Sequence, residues 1–225
     1  MPTATLSPPL VVEPGDRTIT NEPVVALKRR SIDAVLIGFG AVAIVVFLVA
    51  GGLLTWGYRF SDDYVSTELS SQNIAFPTAE ALNEEGRTDL LSFAGNRVDT
   101  GKEAEAYASF INGHLEGIAD GATYADLGAT ESAAKDAVTA AVAAGQSQAQ
   151  IDELQATADG VAGQRNSLFK GETLRGLLLS AYAWSTVGTI AGIAAIGAFL
   201  AAAMMSVLVV LGVVHHRRTP KTATA

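Results

Sequence analysis

The chain has 225 residues, 49% of them hydrophobic, enough for two membrane helices and one small domain. It has no cysteine, which excludes disulfides, thiolate chemistry and cysteine metal sites. The formal charge is −8, and residues 58–172 alone carry 19 acidic against 7 basic side chains, a balance that repels nucleic-acid phosphates.

Residues 1 to about 27 hold Pro2, Pro8, Pro9, Pro14 and Pro23 with no apolar periodicity. Such a segment buries too little surface to order itself, so residues 1–30 read as a disordered cytoplasmic tail. The Pro8-Pro9 pair as a ligand for an aromatic-lined groove is the weaker reading. Lys28, Arg29 and Arg30 then precede an apolar run over 32–56, marked only by Asp33 at its edge. Its length fits one spanning helix over 31–57. Basic residues before it and Asp62, Asp63 and Glu68 after it put the N-terminus in the cytoplasm. A cleaved signal peptide competes, but the leader and the apolar core are both longer than such peptides use. Trp56 and Tyr58 fall where an interfacial aromatic belt is expected.

Residues 58–175 read as an acidic, helical, extracytoplasmic domain. Pro77-Thr78 and Thr88 mark the starts of two short helices, with Leu82, Leu90, Leu91 and Phe93 as core candidates. Thr100 and Glu103 form a capping box, in which hydroxyl and carboxylate satisfy the orphan N–H groups of a helix start. The helix it opens puts Tyr107, Ile111, Leu115 and Ile118 on one face and ends near Gly121. Thr123 and Asp126 make a weaker box that opens a short turn. Residues 131–144 are alanine-dominated helix, Gly145 breaks it, and Ser147 with Gln150 starts another helix carrying Ile151, Leu154 and Val161. Those two predict an antiparallel hairpin with close alanine contact.

Residues 176–214 contain no Asp, Glu, Lys or Arg and close on His215, His216, Arg217 and Arg218. A bilayer core needs about 20 apolar residues, so this long helix spans with length to spare. At 1.5 Å per residue it reaches about 58 Å, and its first turns project beyond the lipid onto the outer domain. The basic tail 215–225 then lies in the cytoplasm. A hairpin of two short spans is the other reading, but Ser185, Thr186 and Gly188 punctuate weakly. Gly188 and Gly192 form a G-x-x-x-G followed by Ala195, a spacing that lets helices approach closely in lipid. It serves either a second copy or the first span, where Gly38, Gly40, Gly51 and Gly52 offer small surfaces.

Chemistry is sparse. His114 is the only histidine between the spans, and Glu116 two residues on faces elsewhere on a helix, so no chelating pair forms. His215 and His216 stand beside arginines that repel cations. No Gly-x-Ser-x-Gly elbow, phosphate-cradling glycine loop or calcium-loop spacing occurs. Catalytic, cofactor-binding and metal-binding residues are therefore expected to be absent. A pore lined by Ser185, Thr186 and Thr189 of several copies is the alternative function. Tyr107, His114, Tyr124, Phe169 and Arg175 are the candidates for contacts with partners or between domain and helix, with Arg175 paired to Glu172.

The segments FAGNRV over 93–98, AYA over 106–108, His114-Leu115, GATYAD over 121–126, SLF over 167–169 and GETLRGLLL over 171–179 resemble a family of uncharacterised actinobacterial two-span membrane proteins. The resemblance covers roughly residues 30–214, with an alanine-rich insertion near 129–150. It implies an all-α membrane protein, two transmembrane helices flanking an extracytoplasmic helical domain. Some relatives bear the name aromatic ring-opening dioxygenase. A non-haem iron site needs two histidines and a carboxylate on convergent elements, and one histidine between the spans does not supply it. The expectation is a non-enzymatic protein of the cell envelope in the plasma membrane. Its partners are lipid and either further copies of itself or other membrane proteins, not nucleic acid.

Overall fold

The computed structural model describes residues 29–218; residues 1–28 of the segment read as a disordered tail and the C-terminal residues from Thr219 on lie outside the described residues, and the last two tail residues, Arg29 and Arg30, are helical. Five α-helices follow in order: α1 (Arg29–Ser71), α2 (Ala79–Glu84), α3 (Gly101–Glu116), α4 (Asp126–Ala143) and α5 (Gln148–Arg218). Two 3-10 turns, Thr88–Phe93 and Ala119–Gly121, link them. The only strand-like pairing among the described residues is an antiparallel bridge between Ala75 and Arg97.

Two rods set the shape. α1 has 43 residues and α5 has 71, about 65 and 106 Å of helix. They run antiparallel: Gly40 faces Val209, Gly51 faces Phe199 and Ser61 faces Gly188. Neither rod contains proline. α1 stops where Asn73 turns to a φ of +54°, which ends helical geometry. α5 starts at Ser147, whose N–H and hydroxyl both donate to Gln150 Oε1, at 3.2 and 2.8 Å.

The helix expected to begin at Ser147 and the long one expected at 176 are a single element, α5. The glycines between them, 160, 163, 171 and 176, each cost about 1 kcal/mol against alanine but supply no turn. Packing against α3 and α4 holds the chain straight. α4 lies antiparallel on the first part of α5, and Gly145 closes that hairpin at a φ of +65° that other residues reach only with strain. The Thr123–Asp126 box, expected to open a short turn, opens all 18 residues of α4. α3 ends at Glu116 rather than near Gly121, because Ala119 and Asp120 both adopt positive φ.

Three apolar clusters build the head of the molecule. Val65 and Leu69 of α1 meet Phe76, Val98, Ala104, Ala108 and Leu178. Leu82, Leu90 and Phe110 form a second cluster, and Leu115, Leu127 and Leu168 tie α3 and α4 to α5. Leu91, expected in the core, is 36% exposed. The segment is a 3-10 turn with a repeat of three, so Leu90 and Phe93 share the inward face and Leu91 does not. Below the head, α1 and α5 run on as a bare two-helix stem, each long and apolar enough to cross a membrane.

Candidate functional site

The rods meet along a seam of small residues. A Cβ on Gly188 would stand 2.8 Å from Ser61, and one on Gly192 would stand 3.2 Å from the Tyr58 ring. The backbones therefore approach closely enough for the Ser61 hydroxyl to donate to the Trp184 carbonyl at 2.6 Å. Ala195 is buried in the continuation of α5. Gly40 and Gly51 repeat the arrangement lower down, against Val209 and Phe199, while Gly38 and Gly52 have nothing within 4 Å. The G-x-x-x-G thus packs on its own chain.

Above the seam, α3 crosses α5 at Gly101, where a Cβ would collide with Ser185. The capping box fixes this crossing. Thr100 Oγ1 accepts the Glu103 N–H at 3.3 Å, and Glu103 Oε2 accepts from the N–H groups of Asp99 and Thr100 at 3.1 and 3.0 Å. Burial pushes the Glu103 carboxyl up, but these donors outweigh it and hold the group below the usual carboxylate range. Its hydrogen bond with Glu103, followed by burial, raises the neighbouring Asp99 carboxyl.

The residues singled out for contacts are distributed through the head. Tyr107 lies edge-on to Phe76 at 5.2 Å, and burial raises its phenol. His114 packs on Phe110 with ring centroids 4.5 Å apart; its Nδ1 is 3.1 Å from the Phe110 carbonyl and its Nε2 is 3.7 Å from Glu85. Glu116 accepts from Asn112 at 2.7 Å instead of meeting His114. Tyr124 and Phe169 touch across the α4–α5 joint, 5.8 Å between centroids. Arg175 pairs with Glu172 at 2.9 Å.

Three residues not singled out from the sequence act as hubs. Arg165 lies 4.1 Å over the Tyr124 ring, donates to the Tyr124 carbonyl at 3.2 Å and to Glu131 at 2.8 Å. Lys135 also reaches Glu131, at 2.5 Å. Hydrogen bonds first from Lys135 and then from Arg165 hold the Glu131 carboxyl below its ordinary value. Arg87 joins Asp89 to the backbone and hydroxyl of Ser109. Ser61 is the third. The Glu131–Lys135 spacing of four was a visible signal; nothing local announces Ser61 or the 22-residue reach from Arg87 to Ser109.

Concavities open beside the rods. A groove of about 640 Å³ opens between α1, α3 and α5 at the foot of the head. A smaller one of about 250 Å³ lies at the far end of the stem beside Asp33 and His215. There, Asp33 Oδ2 and His216 Nδ1 are buried without a hydrogen-bond partner among the described residues. No cluster of three or more His, Asp or Glu that could hold a metal occurs among the described residues. The polar groups brought together are caps, ion pairs and cross-helix ties, an arrangement that positions helices. The chain matches no protein-family model, and comparison with curated proteins and with solved structures likewise gives no match.

Proposed function

We propose that the chain is an integral membrane protein of the cell envelope in which α1 and α5 cross one bilayer side by side. Both ends lie in the cytoplasm and residues 58–175 lie outside, as in the actinobacterial two-span proteins it resembles. The role is interaction without catalysis: self-association, or service as an accessory subunit of a larger membrane complex.

The observation that carries this reading is the exposure of the stem. Phe39, Ile193 and Leu200 are 71, 67 and 66% exposed, and only 11% of the most apolar window of either rod is buried. The apolar core helix of a water-soluble protein shows the reverse. Leaving such side chains in water costs about 1.5–3 kcal/mol each relative to burial, and a bilayer around the stem relieves that cost, which supports the membrane reading. Arg30, Arg217 and Arg218 cluster at one end of the stem and the acidic head stands at the other, which supports a cytoplasmic stem end.

A channel needs a polar stripe turned away from the chain's own packing. Thr186 and Thr189 are exposed, their hydroxyls donating to the carbonyls of Tyr182 and Ser185 at 2.9 Å, but Ser185 packs beneath Gly101 and residues 190–205 below them carry no polar side chain, so no such stripe runs along the stem. Reconstituted protein is accordingly expected to show no conductance. Topology is testable cleanly because the sequence has no cysteine. In intact spheroplasts an impermeant maleimide should label Lys135→Cys and reach Arg218→Cys only after permeabilisation. The opposite pattern would sink the orientation, and recovery of unlabelled protein in the soluble fraction would sink the membrane reading.

A further inference from the structure

The groove at the foot of the head stands where the stem's apolar surface continues upward. On the antiparallel register, the apolar part of α1 ends at Trp56, level with α5 near Ile193. The uncharged run of α5 nevertheless continues from there back to 176, beside the charged stretch Arg59–Glu68 of α1. Of that upper part of the run, about 26 Å of helix, the stretch from Leu177 to Trp184 forms one wall of the groove.

Three features converge on the groove. First, its walls are apolar, formed chiefly by Val65, Leu69, Ile111, Leu174, Leu177 and Leu178. Its volume of about 640 Å³ lies in the range of small-molecule sites. Secondly, an exposed aromatic ladder climbs to it from the end of the stem. Trp56 stacks on Phe60 at 5.6 Å, and Phe60 on Tyr64 at 6.1 Å. Tyr64 itself lines the groove, as does Trp184. Thirdly, no lysine, arginine or histidine lines it, while Glu68 does. An anionic headgroup finds no counter-charge inside; a hydrocarbon chain needs none.

We propose that this groove takes one hydrocarbon chain of a membrane lipid, drawn from the adjoining leaflet along the Trp56–Phe60–Tyr64 ladder, with the headgroup left at the mouth. The inference rests on the membrane reading above. Apolar continuity from stem to groove favours lipid over a docked protein segment, because the chain enters without leaving an apolar surface.

The protein's two tryptophans make the test specific. Trp56→Phe leaves Trp184 as the sole tryptophan, excited selectively over the tyrosines, on the groove wall and about 14 Å along α5 from the level of Ile193. Trp184→Phe leaves Trp56 at the end of the stem. Each variant is reconstituted in phosphatidylcholine vesicles carrying bromine on the acyl chains, in separate preparations near the headgroup and midway along the chain, a quencher that acts only at short range. Both tryptophans are expected to be quenched. Leu177→Glu, at a position 64% exposed and so free of folding constraint, should abolish quenching of Trp184 while Trp56 stays quenched and helicity is unchanged. Mass spectrometry of the detergent-purified full chain should likewise show a retained lipid that Leu177→Glu loses. Quenching of Trp56 alone overturns the groove inference and leaves the membrane reading standing, and so does Trp184 quenching that survives Leu177→Glu. Quenching of neither overturns the membrane reading itself.

Discussion

The head and the stem are built from the same two rods by opposite rules. In the head, Leu82, Val98 and Leu178 are buried, and ion pairs decorate the outside. In the stem, Val35, Phe39 and Leu200 point outward, while the contact between rods is made by Gly40, Gly51 and Ala195. Water drives apolar side chains together in the first case; on the membrane reading proposed above, lipid removes that drive in the second and leaves close packing of small residues as the adhesive. α5 passes through both regimes without a break. On that reading the medium, not the helix, decides which face is inside.

The contrast can be broken most sharply in the head. Leu82 is fully buried between α2, the 3-10 turn and α3, so Leu82→Ala should cost about 2–5 kcal/mol. Chemical denaturation followed by near-ultraviolet circular dichroism reads this, because the head holds most of the aromatic contacts. Truncating an outward stem residue by the same chemistry, as in Leu200→Ala, should leave that transition in place. Equal sensitivity at both positions would mean that the two regions share one solvent.

A charge inverts the experiment. Leu200→Arg puts a guanidinium on the outward face of the stem, at a cost of roughly 3 kcal/mol for a spanning helix. The expected result is a reduced membrane-inserted fraction in a glycosylation-mapping assay. Ala133→Arg, on the exposed face of α4, should change stability by no more than about 0.5 kcal/mol.

What could be read from the sequence follows the same division. The uncharged run over 176–214 and the caps at Thr78, Thr100 and Ser147 were legible because each is settled within a few residues. Their hydrogen bonds appear in the structure as expected. The length of α5 was not legible: four glycines between 160 and 176 look like punctuation, and only packing on α3 and α4 overrules them. The ties from Ser61 to Trp184 and from Arg165 to Glu131 span 123 and 34 residues, distances over which local pattern carries no information. The groove was hidden for a related reason. Its walls come from three helices whose register only the assembled rods define.

One crossing joins the two regimes, and it should be of intermediate sensitivity. Gly101 lets α3 sit on Ser185 where the head meets the uncharged run. Gly101→Val forces that contact apart, at about 1–3 kcal/mol of overpacking strain. Denaturation should show the loss in the head, whereas crosslinking between cysteines placed at Gly40 and Val209 should still form the stem pair. Loss of both would mean that the stem depends on the head for its assembly.

The smallest expected effect is a pH dependence confined to the head. Five of its carboxyls lie below their ordinary values: Glu80 through its own backbone N–H and Thr78, Asp89 through Arg87, Glu103 through donors that outweigh burial, Asp126 through Thr123, and Glu131 through Lys135 and Arg165. A carboxyl depressed by folding contributes stability that is present above its unfolded value and lost as pH falls through its folded one. Asp99 is raised, chiefly by Glu103, so it carries a penalty at neutral pH that protonation relieves. Its sign is opposite and it stands alone against five. The head should therefore weaken below about pH 4, the ordinary carboxylate range, with Asp99 offsetting part of the loss. Near-ultraviolet dichroism of protein in neutral-lipid vesicles should fall in acid while most of the far-ultraviolet helical signal, dominated by the two rods, persists. Thr123→Val removes the donor that contributes most to the Asp126 shift and should shorten the acid-sensitive range. If both signals fell together, head and stem would have to be one cooperative unit, and the division of the rods between two media would lose its thermodynamic meaning.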